Sequence, residues 1–467
     1  MLKKNQKRIV FIFFLASALC SYLIGILFYD STRGIDFNRY IGSVNFLGGY
    51  QDEILDAQGI IYFYIHSKSI FVNGSVDSFV GNLYVNNKIQ FINFLLFSFG
   101  LIGLYSLISK MKFKQIEIFI CFSILCFFPP VYYFRLTMKP EVMAFALFPW
   151  VILFLKEYFI KKSKSMLFFS TFSISIILTL KASIAGMVIL CLLVLFFEEV
   201  KKIKNHKALI FFTSLSTTFA LMIIYKITGR WLFSKPYLNS PEIANNWNYT
   251  APLKFFLNID FKNLLENPYK YIHSDSLISI TLLDTLGDYF TLFWNHIEDT
   301  NLMPINRIEF TDNFLIQAYL PQYISIMFTT LFYIISVFLI LRKVENYRYF
   351  SFSFLGILIL IINSLGFPNK NFDPVTGDLF KVHYYSFLIS ISFLFLILTL
   401  TNKFTIIRYF SILLIPVFLI AMGFPKNLDN NLKDKIIERS KYSFVCELLL
   451  TKNNDCKLVY EMNLDGS

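Results

Sequence analysis

The sequence predicts an all-α, polytopic membrane protein of about eleven transmembrane helices, with its N-terminus cytoplasmic and its C-terminus outside. Three observations carry this. Of 467 residues, 56% are hydrophobic and only 16% are charged, with a mean hydropathy of +0.57. An average soluble domain carries about 25% charged residues. The apolar residues gather into runs of membrane-spanning length, and the lysines and arginines concentrate in alternate short loops between those runs. Other classes drop out on the same counts. The Phe, Ile and Leu content excludes disorder. Six cysteines in 467 residues exclude a disulfide-stapled secreted domain. With 18 glycines and 14 prolines the chain is not a low-complexity or repeat sequence. The abundance of Phe, Ile, Lys and Asn is consistent with a nucleotide-composition bias, and no function is read into it.

A helix needs about 20 apolar residues to cross the hydrocarbon core. The first such run, 8–28, continues through "SYLIGILFYDSTRG" without a small-x-small cleavage site, so it reads as an uncleaved first span. After a long segment, 29–88, come runs at 91–109, 115–134 and 140–156. The runs 166–181 and 183–198 are separated only by "KAS". Together they are too long for one span and just long enough for a tight hairpin. A run at 208–226 precedes a second long segment, 227–320. Four more runs follow at 321–341, 349–366, 382–400 and 405–423, and the tail is 424–467. Residues 1–423 thus form one transmembrane domain, and 424–467 a small extracytoplasmic tail.

Orientation follows from Lys and Arg in short loops. Residues 1–8, "SKMKFK", "KEYFIKKSKS", "EEVKKIKNHK", "RKVENYR" and "TNKFTIIR" hold 20 of the 43 basic residues and only four or five of the 31 acids. These segments are the cytoplasmic side. The formal net charge of +12 is therefore a topology signal. It is not a nucleic-acid footprint, since no basic stripe with interleaved aromatics lies outside the membrane. All three long segments fall on the outer side, so the working machinery faces the exterior or periplasm, in what reads as a bacterial inner or cell membrane. Cysteine placement agrees. Cys20, Cys121, Cys126 and Cys191 fall inside spans, whereas Cys446 and Cys456 sit in the outer tail, where a disulfide between them is expected.

No Walker A loop, G-x-G-x-x-G, H-E-x-x-H or C-x-x-C occurs. The outer histidines His66, His273, His296 and His383 are scattered. Chemistry has to be sought elsewhere. In the first outer segment, Phe37, Tyr40, Val44 and Leu47 recur at helical spacing and Gly48–Gly49 supply a stop, which predicts a short amphipathic interfacial helix. Asp36 heads it, as an N-cap or as an acid at the membrane surface. In "YYFRLTMKPEVMAF", Arg135, Lys139 and Glu141 crowd an outer hinge between two spans. Lys181 stands at the tip of the tight hairpin, with no acid nearby in sequence. Lys381, His383 and Tyr384 open the tenth span. Snorkelling to headgroups is the bland account of these cations. Asp284 and Asp288 share a helix face in "LLDTLGDYFTLFWNH", which reads as an interfacial helix with a solvated face.

In this order the motifs resemble those of the C-type (GT-C) glycosyltransferases, membrane enzymes that use polyprenyl-phosphate-linked sugars and include protein mannosyltransferases and the aminoarabinose transferase of lipid A. "DFNRY" resembles the family's acidic D-E-x-x-Y motif, with Phe37 in place of the second acid; "QGIIYFY" resembles the tyrosine-rich end of the same loop. "RLTMKPEVMAFAL" looks like its charged hinge, "LTLKASIAG" like its L-x-x-K hairpin and "LFKVHYYSFL" like its late K-x-x-Y-x-L span start. The resemblance implies an inverting transfer of a sugar from a polyprenyl-phosphate donor to a hydroxyl of a glycan, lipid or protein acceptor. Asp36 would be the catalytic acid, with Asp30, Asp52, Glu53 and Asp56 as rivals. Tyr40, Arg135, Lys139, Glu141, Lys181, Lys381, His383 and Tyr384 would bind substrate. No cofactor is certain. A divalent metal is admitted, though the missing second acid leaves it open.

Two other classes compete. An O-antigen-type polysaccharide polymerase is also polytopic with large outer loops, but neither Arg230 nor Arg307 has the glycine eleven residues on that such loops typically carry. A lipid-linked oligosaccharide flippase or other transporter would be expected to show internal repeats and midplane charges. The halves of this chain show no repeat, and its ionisable residues gather at span ends.

Overall fold

The computed structural model describes residues 2–28, 37–49, 59–70, 83–202, 207–229, 253–266, 268, 273, 276–286, 312–366 and 382–422. The described residues are overwhelmingly helical and contain no strand. In chain order the helices are α1 (Leu2–Phe28), α2 (Phe37–Gly48), α3 (Ile60–Ile70), α4 (Leu83–Ile108), α5 (Gln115–Cys126), α6 (Pro129–Leu136), α7 (Glu141–Lys161), α8 (Lys164–Leu178), α9 (Ala182–Lys201) and α10 (Lys207–Thr228). Three short helices follow, α11 (Leu253–Leu257), α12 (Phe261–Glu266) and α13 (Leu277–Asp284). Then come α14 (Asp312–Leu341), α15 (Tyr347–Phe350), α16 (Phe352–Gly366), a 3₁₀ turn (Val382–Tyr385), α17 (Ser386–Lys403), α18 (Thr405–Phe410) and α19 (Leu414–Met422).

Each apolar run expected to span coincides with helix over most of its described residues. Among the described residues eight helices are long and apolar enough to cross a membrane, and a ninth span arises if α5 and α6 count as one. Two expected spans are shorter. α8 has 15 residues, so it rises about 22 Å, less than the roughly 30 Å hydrocarbon core. The run at 349–366 likewise appears as the shorter apolar stretch Tyr347–Ile362.

One expected span is broken. The run 115–134 looks continuous in composition, yet α5 and α6 meet at a bend of 55°. Pro129 and Pro130 occupy the first positions of α6, after Phe128 in extended backbone. A proline lacks the N–H needed to continue α5 and disfavours helix in the residue before it, but suits the start of a new helix. The break redirects the chain toward Arg135 and the Lys139 hinge.

Helix α17 is the axis of the bundle. In its span 83% of residues are buried, against 17% in α10 and 22% in α1, which present apolar faces outward. Phe393 of α17 stacks on Phe128 at 4.2 Å between centroids, and Phe395 on Tyr349 at 3.9 Å. Lipid tails are as apolar as the core, so membrane helices hold together by close packing and interhelical hydrogen bonds. α4 and α7 approach so closely at Gly100 that a Cβ there would stand 2.7 Å from the Phe145 carbonyl oxygen. Hydroxyl pairs join α8 to α10, Thr171–Ser216 and Ser175–Thr217, each at 3.2 Å.

The ends of the bundle differ in charge chemistry. At the end of α7, Glu157 pairs with Lys110 and Lys161. At the same end Arg408 Nη2 donates to the buried Glu117 Oε1 at 2.6 Å, locking α18 to α5. These residues belong to the basic loops or border them. The start of α7, at the opposite end, carries the cluster described next.

Candidate functional site

Four separate stretches meet where α7 begins. Thr137 is extended after α6, and Pro140 caps α7, so Lys139 is held in a short non-helical hinge. Opposite it, α8 ends at Leu178 and α9 starts at Ala182, and Lys181 sits in the turn between them in extended backbone. That is the tight hairpin the "KAS" spacing predicts. From the first loop, α2 runs from Phe37 to Gly48 and stops at Gly49, whose φ of +82° suits glycine. Tyr40 and Val44, on the apolar face expected from the sequence, are buried. From the far end of the chain, the 3₁₀ turn delivers Tyr384.

The side chains converge. Lys181 Nζ donates to Glu141 Oε1 at 2.8 Å, with Glu141 fully buried. The same ammonium stands 4.7 Å from the Tyr384 ring centroid and 5.6 Å from that of Tyr40. Lys139 Nζ lies 5.2 Å from the Tyr40 centroid. Two ammonium groups thus share one aromatic ring, whose face attracts cations, and one carboxylate is bonded to one of them. Of the residues singled out in the sequence, Tyr40, Lys139, Glu141, Lys181 and Tyr384 belong to this cluster.

Arg135 is turned elsewhere. Its Nη2 donates to the Ser21 carbonyl at 2.9 Å, and its guanidinium covers the Tyr132 ring at 4.3 Å. It is a buried link from α6 to α1. Asp36, Asp30, Asp52, Glu53, Asp56, Lys381, Cys446 and Cys456 lie outside the described residues, as does Asp288. His383 is placed in its turn by its backbone alone. Among the described cysteines, Cys20, Cys121, Cys126 and Cys191 are free thiols. Among the described residues no group of three or more His, Cys, Asp or Glu could hold a metal ion.

The support behind the cluster lies in contacts that no sequence motif marks. Gly59 N–H donates to the Thr179 carbonyl at 3.1 Å, tying the start of α3 to the Lys181 hairpin. Tyr62 donates to Asn93 Oδ1 at 2.9 Å, and Asn93 Nδ2 donates to the Thr137 carbonyl at 2.8 Å. This chain runs from the first loop through α4 to the hinge that carries Lys139. Burial pushes the Tyr62 phenol well above its usual value. His66, one turn on, packs edge-to-face on Tyr62 at 4.5 Å and faces the Asn93 amide without a well-aligned hydrogen bond. Burial pushes its imidazole down to about 3 from 6.5, so the docked ring is neutral. An undocked His66 takes up a proton as pH falls below its ordinary value, and the docked ring does not. Docking of α3 therefore weakens on acidification. Asn93, a polar residue within an apolar span, was the available signal.

Asp284 corrects another expectation. The sequence expects a solvated face here, but only 6% of Asp284 is exposed. α13 reads "LISITLLD"; its exposed residue is the apolar Ile278, while Ser279, Thr281 and Asp284 are all buried.

No protein family, curated protein or solved structure was found to match this chain.

Proposed function

We propose that the protein is a membrane glycosyltransferase that moves a sugar from a polyprenyl-phosphate donor to an acceptor hydroxyl at the outer face of a bacterial membrane, with inversion. The observation that carries this reading is the meeting of Tyr40, Lys139, Glu141, Lys181 and Tyr384 at one end of the bundle. Residues 40, 139–141, 181 and 384 were marked separately in the sequence, and nothing in their spacing requires them to touch.

The chemistry suits these residue types. Transfer needs a carboxylate to take the acceptor proton, typically worth about 10²–10⁴ in rate. Asp36, immediately before α2 and four residues from Tyr40, fills that role. The departing phosphate gains negative charge, and fixed cations stabilise it in the transition state. Lys139 and Lys181 supply them, with Glu141 orienting Lys181. A donor anchored by its lipid tail has to be met at a membrane face, between spans.

In this reading the chain crosses the membrane eleven times, with residues 1–7 in the cytoplasm and the cluster outside. A reporter enzyme active only in the cytoplasm, fused after Ser467, is expected to be silent; strong activity would invert the topology and remove the site from the donor's leaflet. The direct test incubates the purified protein with polyprenyl-phosphate sugars and membrane acceptors. Release of polyprenyl phosphate coupled to acceptor glycosylation is expected. Transport of intact lipid-linked sugar without bond cleavage would replace this reading with a flippase.

A further inference from the structure

Asp284 ends α13, a helix of the second long loop. A carboxylate is disfavoured both by burial and by the negative end of a helix dipole, so its position requires compensating partners. One is distant in sequence: the Val382 backbone N–H donates to Asp284 Oδ2 at 3.2 Å. Val382 is the first residue of the 3₁₀ turn that presents Tyr384 to Lys181.

The turn is clamped on its other side as well. Tyr385 packs so closely on α16 that a Cβ on Gly356 would stand 2.7 Å from its own Cβ. Its phenol lies toward Tyr333 of α14 and Thr281 of α13. α13 is itself fixed to α14 by Ser325, whose hydroxyl donates to the Leu282 and Leu283 carbonyls at 2.8 and 2.9 Å and accepts from Leu286 N–H at 3.0 Å. Asp284 therefore stands on a platform that cannot shift alone, and its hydrogen bond reaches the backbone of the turn.

We infer that Asp284 is a positioning residue: by accepting from Val382 it sets Tyr384 against Lys181, and so couples the second long loop to the candidate site. This goes beyond the proposed function and rests on it only in taking the Lys181–Tyr384 cluster as the working site. The role requires a hydrogen-bond acceptor, not a charge. Asparagine can fill it through Oδ1, and alanine cannot. Val382→Pro removes the donor instead, at the first position of a helical turn, where proline is tolerated.

The test is amine acylation of the purified full-length protein, with labelling of Lys181 and Lys139 followed by mass spectrometry. Asp284→Ala and Val382→Pro are each expected to speed Lys181 labelling several-fold, by moving Tyr384 off the ammonium. The double variant should add nothing to either, because both changes remove one bond. Asp284→Asn should label at the wild-type rate, and Lys139 should be unchanged throughout. The inference is overturned if Asp284→Ala leaves Lys181 as shielded as before, if Asp284→Asn exposes it as much as alanine does, or if Lys139 accelerates in step, which would mean general loosening. Labelling needs neither donor nor turnover, so its outcome is independent of whether the protein transfers sugar. Where transfer is measured, Asp284→Ala should raise KM for the donor more than it lowers kcat, with asparagine restoring it.

Discussion

Lys181→Met is expected to abolish transfer and to destabilise the folded protein by about 3–5 kcal/mol, the usual cost of removing one partner from a buried ion pair. The cost arises at Glu141, which is fully buried and accepts from Lys181 Nζ at 2.8 Å. Loss of activity alone would not separate a phosphate-binding lysine from a clamp between the α8–α9 turn and α7. Lys181→Met combined with Glu141→Leu makes the separation. Replacing a buried pair by apolar residues of similar volume is often neutral or stabilising, so the double variant should recover its melting temperature in detergent. If Lys181 stabilises the leaving phosphate, transfer remains absent in the refolded double variant. Recovery of transfer along with stability would assign the pair a purely structural role and move the site away from this cluster.

The parts of this structure that were legible in the sequence are those decided by local chemistry. Apolar runs favour helix wherever they fall, so among the described residues the expected runs coincide with helices, eight of them long enough to span and a ninth if the bent pair counts as one, and a lysine between two such runs marks a turn. Gly48–Gly49 announced the end of α2. The break at Pro129 was visible as a Pro-Pro pair, but composition averaged over the run hid it. What was not legible depends on direction. Arg135 and Lys139 are four residues apart and were read as one group. The extended residue Thr137 between them lets Arg135 reach Ser21 on α1 while Lys139 faces Tyr40. His66 and Asn93 looked incidental, since their meaning comes only from α3 lying on α4. Asp284 is one of an i,i+4 acidic pair, and that spacing says nothing of its burial or of the Val382 N–H that reaches it from far along the chain.

The second large effect is expected at Asp36. Asp36→Asn should lower transfer by about 10² or more, as for loss of a general base, while leaving folding nearly unchanged. The substitution discriminates because asparagine caps a helix about as well as aspartate, so an N-cap role alone predicts near-normal activity and a stability change of about a few tenths of a kcal/mol. Asp36 precedes Phe37, the first residue of α2, in the sequence, and the Tyr40 ring of that helix lies 5.2 Å from the Lys139 ammonium and 5.6 Å from that of Lys181. In the proposed reaction the Asp36 carboxylate takes the acceptor proton while Lys139 and Lys181 hold the donor phosphate. The measurement is kcat and KM for the polyprenyl-phosphate sugar, with melting temperature as the folding control. Full activity in Asp36→Asn with loss in Asp30→Asn or Asp56→Asn would keep the reaction and change the acid. Full activity in all of them would leave the transfer without a base in the first loop, and a transporter would then be the better account of the cluster around Lys181.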